Sequence, residues 1–199
     1  MAACVVSQTA LDYYRHSPLS KLENIRLVRL LPHEDEIAPI RCKILEYPLQ
    51  DLSRQSAHAY EALSYVWGSE DDRQTIYIHP LDKNGSSSTG SLHVTKNLHA
   101  ALLHLRDRCF DRILWIDAIC INQADDTEKG HQVQSMARIY ASANRVIVWL
   151  GEATNADDGA ISALCNAAAS KPSDSSAHSS ILALLERPWF QRIWVSLSL

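Results

Sequence analysis

The sequence predicts an α/β fold: a mostly parallel sheet flanked by helices, preceded by an antiparallel strand pair. Three observations carry that expectation. From Leu92 onward the periodicity runs helix, strand, helix, strand, the order of a layered α/β core. Ile113–Ile119 (ILWIDAI) and Val146–Leu150 (VIVWL) are near-continuous apolar runs, the pattern of strands covered on both faces. Ile25–Leu31 and Ile40–Glu46 instead alternate apolar and polar residues, as two paired antiparallel strands do.

The elements follow in order. Residues 1–20 read as a loose polar lead, and the domain proper as 21–199. Pro32 and the acidic run Glu34-Asp35-Glu36 separate the first two strands. Tyr60–Trp67 (YEALSYVW) is a third strand stopped by Gly68, and Thr75–Ile78 a short fourth. Lys83–Ser91 (KNGSSSTGS) has loop composition. Thr95 suits an N-cap, and Leu98, Ala101, Leu102 and Leu105 then recur at helical spacing. After the Ile113–Ile119 strand, Asp125 or Asp126 caps another helix, with Glu128 in its first turn, where a carboxylate suits the helix dipole. Val133, Met136, Ala137 and Tyr140 form its expected inner stripe. Ala156–Ala169 is an Ala-rich helical stretch, Ser170–Ser180 a Ser-rich linker, and Ile181–Leu185 begins a helix stopped near Pro188.

Composition sets the functional bounds. The 199 residues are 46% hydrophobic and 21% charged, enough for a globular core. Nineteen basic and 23 acidic side chains leave a formal charge of −4, with no basic field for nucleic acid. No apolar run approaches the roughly 20 residues of a membrane span, and the first residues lack the basic start of a secretory signal. Cys4, Cys42, Cys109, Cys120 and Cys165 are an odd set without a C-x-x-C pair, which reads as reduced thiols in a cytoplasmic protein. Neither the cysteines nor the nine histidines show zinc-ligand spacing, so no metal is expected.

The phosphate-binding and nucleophile-elbow glycine motifs are absent. The chemistry concentrates in Asp117–Glu128 (DAICINQADDTE), where an apolar strand gives way to a capped helix, the ligand edge of an open α/β sheet. The stretch offers the carboxylates Asp117, Asp125, Asp126 and Glu128, which suit hydroxyl-rich ligands. An acid closing a buried strand needs a partner or a shifted pKa. Asn122 and Gln123 are candidate ligand-binding amides, with loop-backbone bonding as their structural alternative. Cys120 reads as core, and Asp125 and Asp126 as caps before ligands. Tyr65, Trp67 and Gly68 form a second candidate binding cluster, while Trp115, Trp149, Trp189 and Trp194 read as core aromatics.

YEALSYVWG (Tyr60–Gly68), VTKNLHAALLHLR (Val94–Arg106), the stretch Arg112–Gly151 and RPWFQRIWV (Arg187–Val195), in that order, resemble the fungal heterokaryon-incompatibility domain. The resemblance implies a cytoplasmic signalling and interaction module of fungal non-self recognition. Its activation leads to cell death through protein partners or self-association. It also implies a remote likeness to Toll/interleukin-receptor domains, hence a flavodoxin-like sheet. Some members of that class cleave NAD at the nicotinamide–ribose bond, which makes NAD a substrate to consider and leaves no cofactor expected. The closing motif departs from the family pattern: Trp194-Val195-Ser196-Leu197-Ser198 places a serine where the pattern carries a glutamate. The expectation is a domain cut at that motif, weak or inactive as a hydrolase unless Asp117 or Glu128 serves instead.

Overall fold

The computed structural model describes residues 12–49, 60–80, 89–153 and 182–192. The expected Ala156–Ala169 helix, the Ser170–Ser180 linker and Trp194–Ser198 lie outside the described residues, as do Cys4 and Cys165. In chain order the elements are β1 (Asn24–Leu30), β2 (Arg41–Pro48), β3 (Glu61–Tyr65), β4 (Arg73–His79), β5 (Gly90–Thr95), α1 (Lys96–Leu105), β6 (Arg112–Trp115), α2 (Asp117–Cys120), α3 (Asp126–Ala141) and β7 (Arg145–Trp149). Two units divide the chain. Met1–Ser64 with Gly68–Ile147 form the first, and Tyr65–Trp67 with Val148–Leu199 the second.

Among the described residues, seven strands line up in the order β5-β4-β2-β1-β6-β3-β7. The sheet is mixed, which corrects the mostly parallel, flavodoxin-like sheet expected above. β2 and β4 run parallel, as do β3 and β6, but β1 pairs antiparallel with both β2 and β6, and β4 with β5. The reason is the place of the first strand pair. Its register, from Asn24↔Pro48 to Leu30↔Cys42, is that of the expected antiparallel pair. It stands in the middle of the sheet, however, with β6 added on the far side of β1. Each parallel pair is therefore separated from the other by antiparallel joins.

Central position explains the burial of β1. Ile25, Leu27, Val28 and Leu30 are all buried, and so is Arg26, which alternation alone would send to solvent. Ile76, Leu98, Ala101, Leu102, Leu114 and Trp115 are also buried, each large aliphatic side chain contributing roughly 1.5–3 kcal/mol. Thr95 caps α1 as expected, accepting from the Leu98 amide at 3.4 Å. Just past α1, the Arg106 guanidinium donates to the carbonyls of Asp35 (3.1 Å), Glu36 (2.6 Å) and Ala38 (2.7 Å) and so fastens the acidic connection between β1 and β2.

Four further expectations are corrected. Gly90–Ser91, read as loop, already belong to β5 and pair with Ile78 and Tyr77. The Ile113–Ile119 run is not one strand: β6 ends at Trp115 and α2 makes one helical turn from Asp117, with Cys120 N–H donating to Ile116 O at 2.7 Å. Ile116, Ile119 and Cys120 recur at helical spacing, so their burial is satisfied by a turn as well as by a strand. In α3 the buried positions are Gln132 and Ile139, while Val133 is 52% exposed. The stripe is displaced because Gln132 Nε2–H donates to Asn24 O (2.9 Å) and the Ile139 carbonyl accepts from Tyr60 Oη–H (2.6 Å). A paired polar side chain can thus take a core position. Finally, β7 is last in the strand order and exposes Val146 and Val148, so it is not a strand covered on both faces.

In the second unit, Arg187 donates to Leu150 O at 2.8 Å, Arg192 donates to Tyr65 O, and Pro188–Gln191 forms a single 3-10 turn. Trp149 and Trp189 are half-buried here, not core residues. Trp115 alone among the described tryptophans is fully buried, with Tyr140 edge-on at 5.4 Å.

Candidate functional site

The stretch from Asp117 to Glu128 leaves the carboxyl end of β6 as α2, passes through Asn122 and Gln123, and enters α3. Local chemistry builds it. Asp117 opens α2, where a carboxylate suits the helix dipole, and its Oδ1 accepts the Ala118 amide at 2.8 Å. Cys120 Sγ accepts the Ile116 amide at 3.3 Å. Asp125, not Asp126, is the N-cap of α3, and its carboxylate accepts from the amides of Thr127 and Glu128, both at 3.0 Å.

Arg26 at the centre of β1 holds this turn together. Its Nη1 donates to Glu128 Oε1 at 2.5 Å and to Cys120 O at 3.1 Å, and its Nη2 to Glu128 Oε2 at 2.9 Å and Ser17 O at 2.7 Å. One guanidinium therefore ties Ser17 of the N-terminal lead, the end of α2 and the first turn of α3. The arginine is 4% exposed and the glutamate 11%. Glu128 Oε1 also accepts the Asn122 amide at 2.8 Å. Burial pushes the Glu128 carboxyl up, but the Arg26 hydrogen bonds, the Asn122 amide and the Arg26 charge outweigh it and hold the pKa below the usual range.

The predicted residues separate into two sets. Asp117, Asn122, Gln123 and Glu128 come together on this turn. Gln123 Nε2–H donates to Asp117 O (3.2 Å) and Asn122 Oδ1 accepts the Ala124 amide (3.3 Å), so both amides brace loop backbone. All three, Asp117 included, remain partly exposed. Cys120 is fully buried, and burial drives its thiol up to about 12, consistent with a core residue and inconsistent with a nucleophile at neutral pH. Tyr65 and Trp67 belong to the second unit, where Tyr65 is 1% exposed and Trp67 half-buried. Gly68 is exposed in the first unit. Its φ of 78° requires glycine, and a side chain there would also meet Asn97 Cβ at 3.3 Å.

Sequence reasoning missed Arg26 and His16. Arg26 sits in an alternating strand where it reads as solvent-facing. The available signal was an unpaired carboxylate at Glu128, although its partner lies 102 residues away. His16 Nε2 lies 2.7 Å from Ile119 O, so the supposedly loose lead reaches the turn.

Two concavities among the described residues lie away from this turn. A pocket of about 440 Å³ is lined by residues including Tyr60, Glu61, Asp107, Arg112 and Arg145. In it Glu61 holds Arg112 (2.6 Å) and Arg145. Another, of about 430 Å³, is lined by residues including His33, His104 and Arg106. Among the described residues, no group of three or more His, Cys, Asp or Glu side chains could hold a metal ion, and no helix is long and apolar enough to cross a membrane.

Comparison with known proteins bears directly on this turn. The family model described as "Heterokaryon incompatibility protein (HET)" matches residues 60–196, which include it whole. The chain is similar to "Heterokaryon incompatibility protein 6, OR allele" of Neurospora crassa, with 36% identity over 146 residues. That alignment covers 71% of this chain but 21% of the relative, so the chain spans about a fifth of that protein's length. No solved structure matches significantly.

Proposed function

The chain belongs to the heterokaryon incompatibility family, and from that premise we propose that it is a signalling and interaction module of fungal non-self recognition whose engagement leads to cell death. The observation that carries the reading is the family match across residues 60–196. The arrangement of the Asp117–Glu128 turn supports an interaction role over catalysis. Asp117, Asn122 and Gln123 are the residues through which a protein partner or a second copy would read the turn. Glu128 acts as the counter-ion of Arg26 and holds that surface in place. With a formal charge of −4 and no basic field, neither nucleic acid nor an anionic lipid surface is an expected partner. The module works in the cytoplasm in this proposal.

NAD cleavage at the nicotinamide–ribose bond is the alternative. It needs a carboxylate beside the ribose to stabilise developing positive charge. Both oxygens of Glu128 accept from Arg26, and this route would use Asp117, whose Oδ1 accepts the Ala118 amide. Asp117 is half-buried at the carboxyl end of β6, the edge where open α/β sheets bind ligands.

Two measurements on the full chain separate these readings. Purified protein at high concentration is incubated with NAD and assayed for free nicotinamide, and the same chain is expressed in a filamentous fungus and scored for growth arrest. The interaction reading expects growth arrest, its loss on combined Asn122→Ala and Gln123→Ala substitution, and no nicotinamide. Nicotinamide release that disappears in Asp117→Asn would replace it with the enzymatic reading. Growth unaffected by the wild-type chain would overturn the proposal.

A further inference from the structure

Residues 12–20 contain no helix or strand beyond an isolated bridge, yet they are tied to the first unit at three separate places. At the edge of the sheet, Tyr14 N–H donates to Ser91 O and Ser91 N–H donates to Asp12 O, both at 2.8 Å, in a parallel bridge of Tyr13 with Ser91. The Tyr13 ring stands edge-on to His93 of β5, centroids 5.2 Å apart. At the Asp117–Glu128 turn, His16 meets Ile119 O and Ser17 O accepts from Arg26. Further along, Ser20 is pinned: its N–H and its hydroxyl both donate to Glu46 Oε1, at 2.8 and 2.6 Å.

The sheet-edge attachment is light, the one at the turn rests on His16 and on the Arg26 donor to Ser17 O, and the one at Ser20 gathers several donors on one carboxylate. Tyr13 is 66% exposed, and Asp12, Arg15, Ser17 and Pro18 are exposed as well, so the half-buried Tyr14 and His16 rings are what opposes local opening. At Ser20 a charged acceptor receives two donors, reinforced by Asn24 Nδ2–H on the same oxygen at 2.6 Å. A hinge between Ser17 and Ser20 would let everything before it lift.

One titratable group sits where that lifting would start. The Ile119 carbonyl can only accept, so His16 Nε2 carries a proton and the neutral ring already satisfies the bond. The groups facing the imidazole are Arg26 from β1, Glu128 from α3, the Ile119 carbonyl of α2 and, on its own segment, Tyr14, whose ring is edge-on at 5.1 Å. A second proton would place an imidazolium beside a buried guanidinium whose carboxylate partner is already doubly engaged. Burial lowers the His16 pKa first, and Arg26 adds to it, against the Ile119 hydrogen bond and Glu128.

We propose that residues Asp12–Ser17 form a pH-operated strap that closes the β5 edge and braces the Asp117–Glu128 turn while His16 is neutral, and that lifts from both when His16 takes up a proton. Released, it bares the N–H and C=O of Ser91 on an edge strand, groups able to pair with another chain. The sign follows from linkage. The docked histidine titrates below the free value of about 6.5, so docking is complete above that pH and weakens as pH falls through the docked value.

Hydrogen exchange on the full chain from pH 7.5 to 5.0, corrected for intrinsic rates, tests the strap. Protection of the Ser91 and Tyr14 amides is expected to fall several-fold over that range while the amide of Val28 in the core does not change. His16→Gln keeps a donor for Ile119 O but cannot titrate, and should hold its protection across the range. His93→Gln, the control for the other imidazole near the strap, should keep the wild-type response. Gly90→Ala, whose new carbon would meet the Tyr14 main chain at 3.1 Å, should lower protection at every pH. Protection independent of pH in the wild type would overturn the proposal. So would a pH response that survives His16→Gln, or a His16 imidazole that titrates at or above 6.5 by NMR.

Discussion

Two arginine–carboxylate centres stand at opposite ends of β6, and they differ in what surrounds them. At its carboxyl end Arg26 and Glu128 meet at 4% and 11% exposure, and both Nη nitrogens of the arginine reach a carboxylate oxygen and a backbone carbonyl. At its amino end Glu61 takes Arg112 and Arg145 at 14%, 23% and 65% exposure, inside an open polar pocket. The second centre has more charges but more water. Solvent screens the exposed Arg145 and makes that partner dispensable. A buried pair is different: its desolvation is offset by the partner, and removal of either member strands the other. The chain therefore places its structural dependence at the end of β6 that carries the candidate turn.

That contrast can be broken in graded ways. Arg26→Leu or Glu128→Leu alone should cost about 3–5 kcal/mol, read from urea denaturation at pH 7. Acid should find the same weakness. Glu128 is held below its unfolded value of about 4.3, so its contribution is full above that pH and disappears as pH falls through the folded value. Urea midpoints at pH 7, 5 and 3.5 should show a steeper late drop in the wild type than in a variant lacking both Arg26 and Glu128. Asp125→Ala, which uncaps the helix that delivers Glu128, should cost about 1 kcal/mol. The smallest effect belongs to the exposed centre: Arg145→Ala should change stability by under about 0.5 kcal/mol. Added salt should weaken that pair and leave the Arg26 pair nearly unchanged.

Local signals were legible in the sequence, and long-range ones were not. The caps at Thr95 and Asp125, the alternating pair of first strands and the leucine stripe of α1 are encoded within a few residues, and each lies where expected. The position of β1 beside β6 is not encoded locally. Nothing in IRLVRL announces that Arg26 will be buried, because the compensating charge arrives from Glu128 more than a hundred residues later. The same holds for Gln132, whose burial depends on the Asn24 carbonyl. ILWIDAIC was ambiguous for another reason: its apolar residues fit a strand and a helical turn equally, and the turn begins at Asp117. Of the candidate site, the turn itself was legible from its carboxylates and amides. Its support by Arg26, and the docking of His16 on Ile119, required the fold.

The central claim is that Arg26 and Glu128 act as one unit that holds the Asp117–Glu128 turn. A double-mutant cycle with leucine at both positions, read by urea denaturation at pH 7, tests it most directly. The account predicts a double variant far more stable than the summed single losses imply, with a coupling of about 2–3 kcal/mol. Single losses that add to within about 0.5 kcal/mol would contradict it.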